Sequence, residues 1–131
     1  MNLKKLVTAA VCTMLMAAVA FTGGCGGEKK SDKKVLKVGM ECAYAPYNWS
    51  QTKADGGAVK IAGSNEYAYG YDVMMAKKLA DSMGADLEIH KIEWDGLAPA
   101  VVSGKIDAAI AGMSITSKRK ETVDFTKPYY Y

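Results

Sequence analysis

The chain has 131 residues, of which 50% are hydrophobic and 24% are charged, and its formal net charge is +3. This length is enough for one small domain and not for two. Without the lysines of an N-terminal leader, 15 basic residues stand against 14 acidic ones. No aromatic residue interleaves the lysines that cluster at 29–34. The sequence therefore gives no support for nucleic acid as a partner.

A leader of the secretory type begins the chain. Lys4 and Lys5 form a short basic start, an apolar run covers residues 6–21, and the small residues Gly23 and Gly24 follow. This order describes a signal peptide. The run is shorter than the roughly 20 residues that a bilayer-spanning helix needs, and it lacks the polar face of a core helix. We therefore expect residues 1–24 to be removed on export.

Cys25 stands where a bacterial lipoprotein carries the cysteine that becomes acylated. Thr22 departs from that pattern, because an aliphatic residue is usual three places before the cysteine. Residues 25–34 are predicted to be the lipidated cysteine and a flexible tether. The domain would then be held to the membrane by a lipid anchor, at the outer face of the cell membrane or in the periplasm. Cys42 has no partner left for an internal disulfide.

Beyond the tether, strand-like and helix-like segments alternate. In chain order we predict a strand over 35–40, a small hairpin from 58–61 and 66–69, a helix over 72–83, a strand over 87–92, a short helix over 97–103, a strand over 106–111 and a helical turn from Thr116 or Ser117. Asp72 and Asp95 are predicted to cap the two helices, and Gly84 and Gly104 to end them. Such alternation predicts an α/β fold with a parallel sheet flanked by helices.

The helix over 72–83 is predicted from the spacing of its apolar residues. The residues placed on its buried face are Val73, Ala76, Leu79, Ala80 and Met83. The strand over 106–111 is apolar enough to be buried on both faces. No Gly-x-Gly-x-x-Gly follows the first strand and no phosphate loop occurs, so no nucleotide cofactor is expected. Ligands of open α/β sheets bind beyond the carboxyl ends of the strands, which here directs attention to residues 40–47, Trp94 and residues 112–119.

Those segments contain groups suited to a small zwitterion. Arg119 is the only arginine in the sequence, and its rigid fork of donors suits a carboxylate. Gly112 and Ser114 can present backbone groups and a hydroxyl to the same carboxylate. Tyr44 and Trp94 offer flat faces to the rest of a ligand. Glu41 is placed to meet an ammonium or a guanidinium group.

Spacing alone leaves a structural explanation open for each of these residues. A single arginine between two lysines is usually a solvated charge, and Glu41 fits an exposed acid better than a functional one. Trp94 is consistent with a core residue, and Tyr44 with a residue that covers a loop. His90 has no Cys or Asp at metal-ligand spacing, so no metal site is expected. No Ser–His–Asp or Cys–His arrangement is present either.

Several blocks of the sequence resemble the bacterial extracellular solute-binding proteins of family 3, the amino-acid receptors of ABC importers. The blocks are Leu36-Lys37-Val38-Gly39-Met40, Tyr44-Ala45-Pro46-Tyr47, Gly70-Tyr71-Asp72-Val73, Trp94-Asp95-Gly96-Leu97-Ala98-Pro99-Ala100, Ser103-Gly104-Lys105-Ile106-Asp107, Ala111-Gly112-Met113-Ser114-Ile115-Thr116-Ser117-Lys118-Arg119 and Val123-Asp124-Phe125-Thr126-Lys127-Pro128-Tyr129-Tyr130. They occur in family order. One departure is Met74, where the family signature usually has a second acid.

The resemblance implies a function and a set of roles. It implies an amino-acid ligand held at its carboxylate by Arg119 with Gly112 and Ser114, the importer's membrane subunits as partners, and no catalysis. Tyr44 and Trp94 would enclose the ligand side chain, and Glu41 would sense its polarity. Family members have two lobes. Residues 35–131 are accordingly expected to be a partial first lobe of periplasmic-binding-protein type, with the second lobe absent from this chain.

Two other functions stay open for the same fold. One is an enzyme of dehydratase or peptidoglycan-lyase type, for which Glu41 is the candidate acid. The other is the ligand-sensing module of a signalling receptor, which the lipoprotein-like Cys25 disfavours.

Overall fold

The computed structural model describes residues 33–131, in which seven strands, two helices and two short helical turns follow one another. The strands are β1 (Val35–Met40), β2 (Ala43–Tyr44), β3 (Asn48–Gln51), β4 (Val59–Lys60), β5 (Tyr67–Tyr69), β6 (Asp86–Lys91) and β7 (Ala108–Ala109). The helices are α1 (Tyr71–Met83), α2 (Trp94–Val102) and the single turn α3 (Ser117–Lys120), and a 3-10 turn covers Asp55–Gly57. The signal peptide, Cys25 and most of the tether lie outside the described residues.

A parallel three-stranded sheet in the order β6-β1-β7 forms the centre. Val35 pairs with Asp86 at one end of the β1–β6 ladder and Met40 with Lys91 at the other, while Gly39 pairs with Ala109 of β7. Helices α1 and α2 provide the crossovers that parallel strands need. The predicted α/β fold class, with a parallel sheet and helices, is therefore confirmed.

A second, antiparallel sheet in the order β2-β3-β5-β4 is built from the loop-rich region between β1 and α1. The predicted hairpin is present, because β4 pairs antiparallel with β5 through Lys60 and Tyr67. An isolated parallel bridge between Ile61 and Ile89 joins this region to β6. The small sheet thereby holds the segment that precedes α1 against the main sheet.

The core lies where the main sheet meets the helices. Its largest fully buried apolar side chains are Val38, Met40, Ile61, Val73, Ile89, Leu97 and Ile106. On α1 the predicted buried face is only partly correct. Val73, Ala76 and Ala80 are buried, whereas Leu79 is 40% and Met83 is 53% exposed. The buried stripe is thus narrower than the apolar spacing indicated.

Both predicted helix caps are wrong. Asp72 and Asp95 lie inside the first turns of α1 and α2, which begin after Gly70 and Glu93. The N–H groups at the start of α1 donate to backbone carbonyls of a preceding loop, and not to a capping side chain. Tyr71 N–H donates to the Pro46 carbonyl (3.2 Å) and Asp72 N–H to that of Tyr47 (2.8 Å). Gly84 and Gly104 end their helices with φ of 62° and 73°, as predicted.

Two further predictions, on the third strand and on the tether, differ from the structure at their boundaries. The third strand pairs only at Ala108 and Ala109, although Ile106 and Ala111 on either side are buried. The last two tether residues contact the start of β6, because Lys33 Nζ lies 2.9 Å from Asp86 Oδ1 and Asp86 N–H donates to the Lys34 carbonyl. Within residues 33–131, no helix has the length and apolar character to cross a membrane.

Candidate functional site

The topology places a crevice at the carboxyl ends of β1 and β7. β6 pairs with one edge of β1 and β7 pairs with the other edge, so the strand order reverses at β1. Open α/β sheets bind ligands outside the strand ends at such a switch point. Glu41 directly follows β1, and the segment 110–116 follows β7. The expected segments therefore meet at this edge of the sheet.

A cavity of about 420 Å³ opens at this edge. It is lined by Tyr44, Tyr47, the segment Gly112 to Ile115, and Thr126 to Tyr131. A volume of this size falls within the range of small-molecule sites. Because tyrosines dominate the walls, we refer to it as the tyrosine cavity.

Gly112 and Tyr44 form one wall of the tyrosine cavity. The ring of Tyr44 stacks on that of Tyr47 with centroids 5.1 Å apart. Gly112 has a φ of 61°, and a Cβ at this position would lie 3.1 Å from Tyr44 Cε1. A side chain there would be strained and would press on the ring. The glycine thus allows the loop after β7 to lie close to an aromatic face.

Arg119 is held by its own segment. Thr116 caps α3, and its Oγ1 accepts the Arg119 N–H at 3.2 Å. The guanidinium Nη1 donates to the Ser114 carbonyl at 2.7 Å, and Cζ lies 5.2 Å from the centre of the Trp94 ring. That distance is within cation–π range. The side chain is therefore oriented by a carbonyl and a ring.

No carboxylate of residues 33–131 forms an ion pair with Arg119; the ion pairs of this region join Lys33 to Asp86, His90 to Glu88 and Lys91 to Glu66. A half-buried guanidinium with a fixed plane and no acidic partner has the chemistry to receive a carboxylate from outside the chain.

Tyr129 connects the cavity to the interior. Its hydroxyl donates to Asp72 Oδ1 at 2.6 Å and accepts the Gly112 N–H at 3.3 Å. Burial and the neighbouring Asp72 carboxylate raise the pKa of the Tyr129 hydroxyl well above its usual range. The proton therefore stays on the tyrosine at physiological pH, and the directions of both hydrogen bonds are fixed.

Three of the six predicted site residues line the tyrosine cavity: Tyr44, Gly112 and Ser114. The cavity's lining residues do not include Glu41, Trp94 or Arg119. Arg119 lies next to the cavity wall, because it donates to the Ser114 carbonyl, and its guanidinium faces the Trp94 ring. Glu41 directly follows β1.

Four lining tyrosines were not predicted: Tyr47, Tyr129, Tyr130 and Tyr131. The available signal was the concentration of tyrosine at 44–47 and 129–131, since Tyr and other aromatics are typical of ligand pockets.

The described residues contain no group of three or more His, Cys, Asp or Glu side chains that could hold a metal ion. Cys42 is buried, and burial raises the pKa of its thiol to about 11. A protonated, buried thiol is a poor nucleophile at neutral pH.

Comparison with known proteins places this arrangement in a family. The sequence profile of the bacterial extracellular solute-binding proteins, family 3, matches residues 36–131. The octopine-binding periplasmic protein of Rhizobium meliloti is 32% identical over 115 residues, covering 88% of this chain and 34% of that protein. The L-arginine-binding protein of Pseudomonas aeruginosa is 37% identical over 97 residues, covering 74% of this chain and 33% of that protein. The chain thus spans about a third of the length of these two relatives.

Solved structures agree with the sequence comparison. The arginine-bound form of domain 1 from TmArgBP is 33% identical, with a TM-score of 0.60, and the match covers 73% of this chain and 67% of that one. An ancestral arginine-binding protein bound to arginine is 36% identical, with a TM-score of 0.61, over 75% of this chain and 38% of that one. The named relatives are binding proteins.

Proposed function

This chain belongs to the bacterial extracellular solute-binding proteins, family 3, and on that premise we propose that it captures an amino acid for an ABC importer. The observation that carries the proposal is Arg119, whose guanidinium is oriented by the Ser114 carbonyl at 2.7 Å and the Trp94 ring at 5.2 Å without an acidic partner in residues 33–131. Arg119 binds the carboxylate of the ligand, and Gly112 and Ser114 on the adjoining loop assist.

The ligand is an amino acid with a cationic side chain. The relatives named above bind arginine or octopine, and the tyrosine cavity presents aromatic faces that attract cations. Tyr44 is 48% exposed although it stacks on Tyr47, so part of its ring is available to a flat or cationic group. Glu41, at the end of β1, adds a negative charge near this edge of the sheet.

The chain acts as a binding protein and not as an enzyme. In this role it delivers the ligand to the membrane subunits of the importer. The aromatic and backbone groups around the tyrosine cavity suit reversible binding, and the buried Cys42 is shielded from use as a nucleophile by its raised pKa.

Export and anchoring complete the proposal. Residues 1–24 direct export, Cys25 receives the lipid, and the tether keeps the domain at the outer face of the cell membrane. Labelled fatty acid should enter the wild-type protein and not a Cys25→Ala variant, and the variant should leave the membrane fraction. If both forms stayed in the membrane fraction equally, the proposed lipid anchor would be wrong. The proposed ligand site does not depend on this result.

The binding function is tested by thermal unfolding in the presence of each common amino acid at millimolar concentration. A ligand at 100 times its dissociation constant adds about 2.7 kcal/mol of stability, and each kcal/mol raises the midpoint by about 4–8 °C in a domain of this size. We expect basic amino acids to raise the midpoint, and their carboxyl-amidated forms to fail to do so. A midpoint that no amino acid moves would refute the proposal.

A further inference from the structure

A chain of hydrogen bonds, buried at Asn48 and Asp72, joins Cys42 to Gly112. The Cys42 N–H donates to Asn48 Oδ1 (2.8 Å), and Asn48 Nδ2 donates to Asp72 Oδ2 (2.7 Å). From the other side, the Tyr129 hydroxyl donates to Asp72 Oδ1 (2.6 Å) and accepts the Gly112 N–H (3.3 Å). Every donor points toward Asp72, so the carboxylate is the end of both arms.

The members of this chain come from separate parts of the sequence. Asn48 lies on β3, Asp72 in the first turn of α1, Tyr129 in the segment after α3, and Gly112 in the loop after β7. Asn48 and Asp72 are fully buried. Burying a carboxylate costs much free energy unless it is hydrogen-bonded. The conformation in which Asn48 and Tyr129 both donate to Asp72 is therefore strongly favoured. The position of Tyr129 is thereby fixed from the interior.

Tyr129 in turn fixes the peptide group of Gly112. A tyrosine hydroxyl has one proton, and that proton is directed to Asp72, so a lone pair is left for the Gly112 N–H. Gly112 has no Cβ to restrain it, and its φ is 61°. The orientation of this peptide sets where the following residues, Met113 and Ser114, point into the cavity. Without Tyr129 the glycine would be free to rotate.

We propose that Asp72 and Tyr129 are positioning residues of the ligand site, which lock the Gly112 peptide through a hydrogen-bonded relay that starts from the buried Asp72 carboxylate. This inference rests on the proposed function, because positioning has meaning only if the loop after β7 receives a ligand. Asp72 lies outside the cavity lining, and Tyr129, which lines the cavity, acts on Gly112 through its hydroxyl. The relay acts through the conformation of Gly112 and the placement of Ser114.

The test compares Tyr129→Phe with Tyr71→Phe in the full chain. Tyr71 is a matched control, because its ring stacks on that of Tyr129 and its hydroxyl donates to the Tyr129 carbonyl at 3.1 Å, outside the relay. Three quantities are measured: the chemical shift and hydrogen exchange of the Gly112 amide without ligand, the dissociation constant for L-arginine, and the melting midpoint. Asp72→Asn provides a second variant of similar shape.

In Tyr129→Phe we expect the Gly112 amide to shift and to exchange several-fold faster, and L-arginine to bind about 3- to 10-fold more weakly, as loss of one hydrogen bond implies. Asp72→Asn should move the same amide. Tyr71→Phe should leave both the amide and the affinity close to wild type. A purely structural role would lower the midpoint without this selective change at Gly112.

The outcomes separate the two proposals. An unchanged Gly112 amide in Tyr129→Phe would overturn the relay, and a changed amide with wild-type affinity would overturn its positioning role. If the wild-type chain binds no amino acid, the proposed function fails, while the amide measurement still decides whether the relay fixes Gly112.

Discussion

Two regions of this molecule are held together in different ways. In the strand core, defined by Val38, Met40, Ile89, Leu97 and Ile106, the contacts are apolar and the side chains are fully buried. At the ligand edge, defined by the tyrosine cavity and Arg119, the contacts are stacked rings and hydrogen bonds. The buried polar side chains of residues 33–131, Asn48 and Asp72, are connected to the ligand edge by hydrogen bonds through Tyr129.

This difference indicates that the strand core provides stability and the ligand edge orients the groups that bind the ligand. Apolar burial is non-directional and supplies most of the stability, so the strand core can tolerate rearrangement without redirecting any one group. Hydrogen bonds are directional, so the ligand edge orients specific groups at little net gain in stability. Changes in the strand core should therefore alter stability alone, and changes at the ligand edge should alter affinity.

The largest expected effect tests the strand core. Leu97→Ala removes a fully buried side chain and should lower the free energy of unfolding by about 2–5 kcal/mol. Leu79→Ala on the 40% exposed face of α1 is the control and should cost much less. Urea unfolding measures both. If Leu97→Ala also changes the dissociation constant for L-arginine of the folded protein, the division between the two regions is wrong.

A substitution at Gly70, which precedes α1, should affect both the stability of the chain and the ligand edge. The φ of Gly70 is 126°, and a Cβ there would clash with the Tyr47 carbonyl oxygen, so Gly70→Ala must displace the loop that supports the tyrosine cavity. We expect a loss of about 3 kcal/mol together with weaker ligand binding.

Gly84→Ala is the matched control for Gly70→Ala. Gly84 has a φ of 62° with open space around it, so only about 1 kcal/mol should be lost. Calorimetric melting and ligand titration of both variants check this pair. Equal losses of stability in the two variants would show that the contact with the Tyr47 carbonyl is not the reason why glycine is needed at position 70.

The sequence predicted the strand core better than the ligand edge. Alternation in β6 and the apolar run of β1 are local patterns, and each identifies a strand without knowledge of the rest of the chain. The relay could not be predicted in this way. Asn48 and Asp72 are 24 residues apart, and Tyr129 and Asp72 are 57 apart. Local propensity favoured Asp72 as a helix cap, but the carbonyls of the 45–47 loop occupy that role.

The site residues show the same limit. Arg119 was predicted from its chemistry and from the family resemblance, because a single arginine in a loop after a strand is visible in the sequence. Its orientation by Ser114 and Trp94 depends on how α2 and α3 lie in three dimensions. The tyrosines at 129–131 carried no periodic signal, and they become wall residues only through the course of the chain after α3.

A moderate effect is expected at Trp94. Trp94→Leu removes the ring beneath the Arg119 guanidinium and should weaken L-arginine binding about fivefold, the value of one cation–π contact. Trp94→Phe keeps a ring and should lose less. Titration calorimetry distinguishes the two variants. Equal affinity in Trp94→Leu and wild type would mean that the ring does not orient the guanidinium.

The smallest expected effect depends on pH. Burial raises the pKa of the Cys42 thiol from 9.0 to about 11. The folded state therefore holds this proton more tightly than the unfolded state, so the stability it contributes is complete below pH 9 and is lost as the pH rises toward 11. Urea unfolding of wild type and Cys42→Ala at pH 8 and pH 10.5 should show a smaller decline in the variant. If the free energy of unfolding fell equally in wild type and Cys42→Ala, the loss of stability at high pH would come from groups other than Cys42.

The role of Arg119 is tested most directly by a titration of the chain with L-arginine and with agmatine, which lacks the carboxylate. We expect wild type to prefer L-arginine, Arg119→Ala to lose about 30-fold or more of its affinity for L-arginine together with this preference, and Lys118→Ala to retain both. Equal binding of L-arginine by wild type and Arg119→Ala would contradict the claim that Arg119 receives the ligand carboxylate.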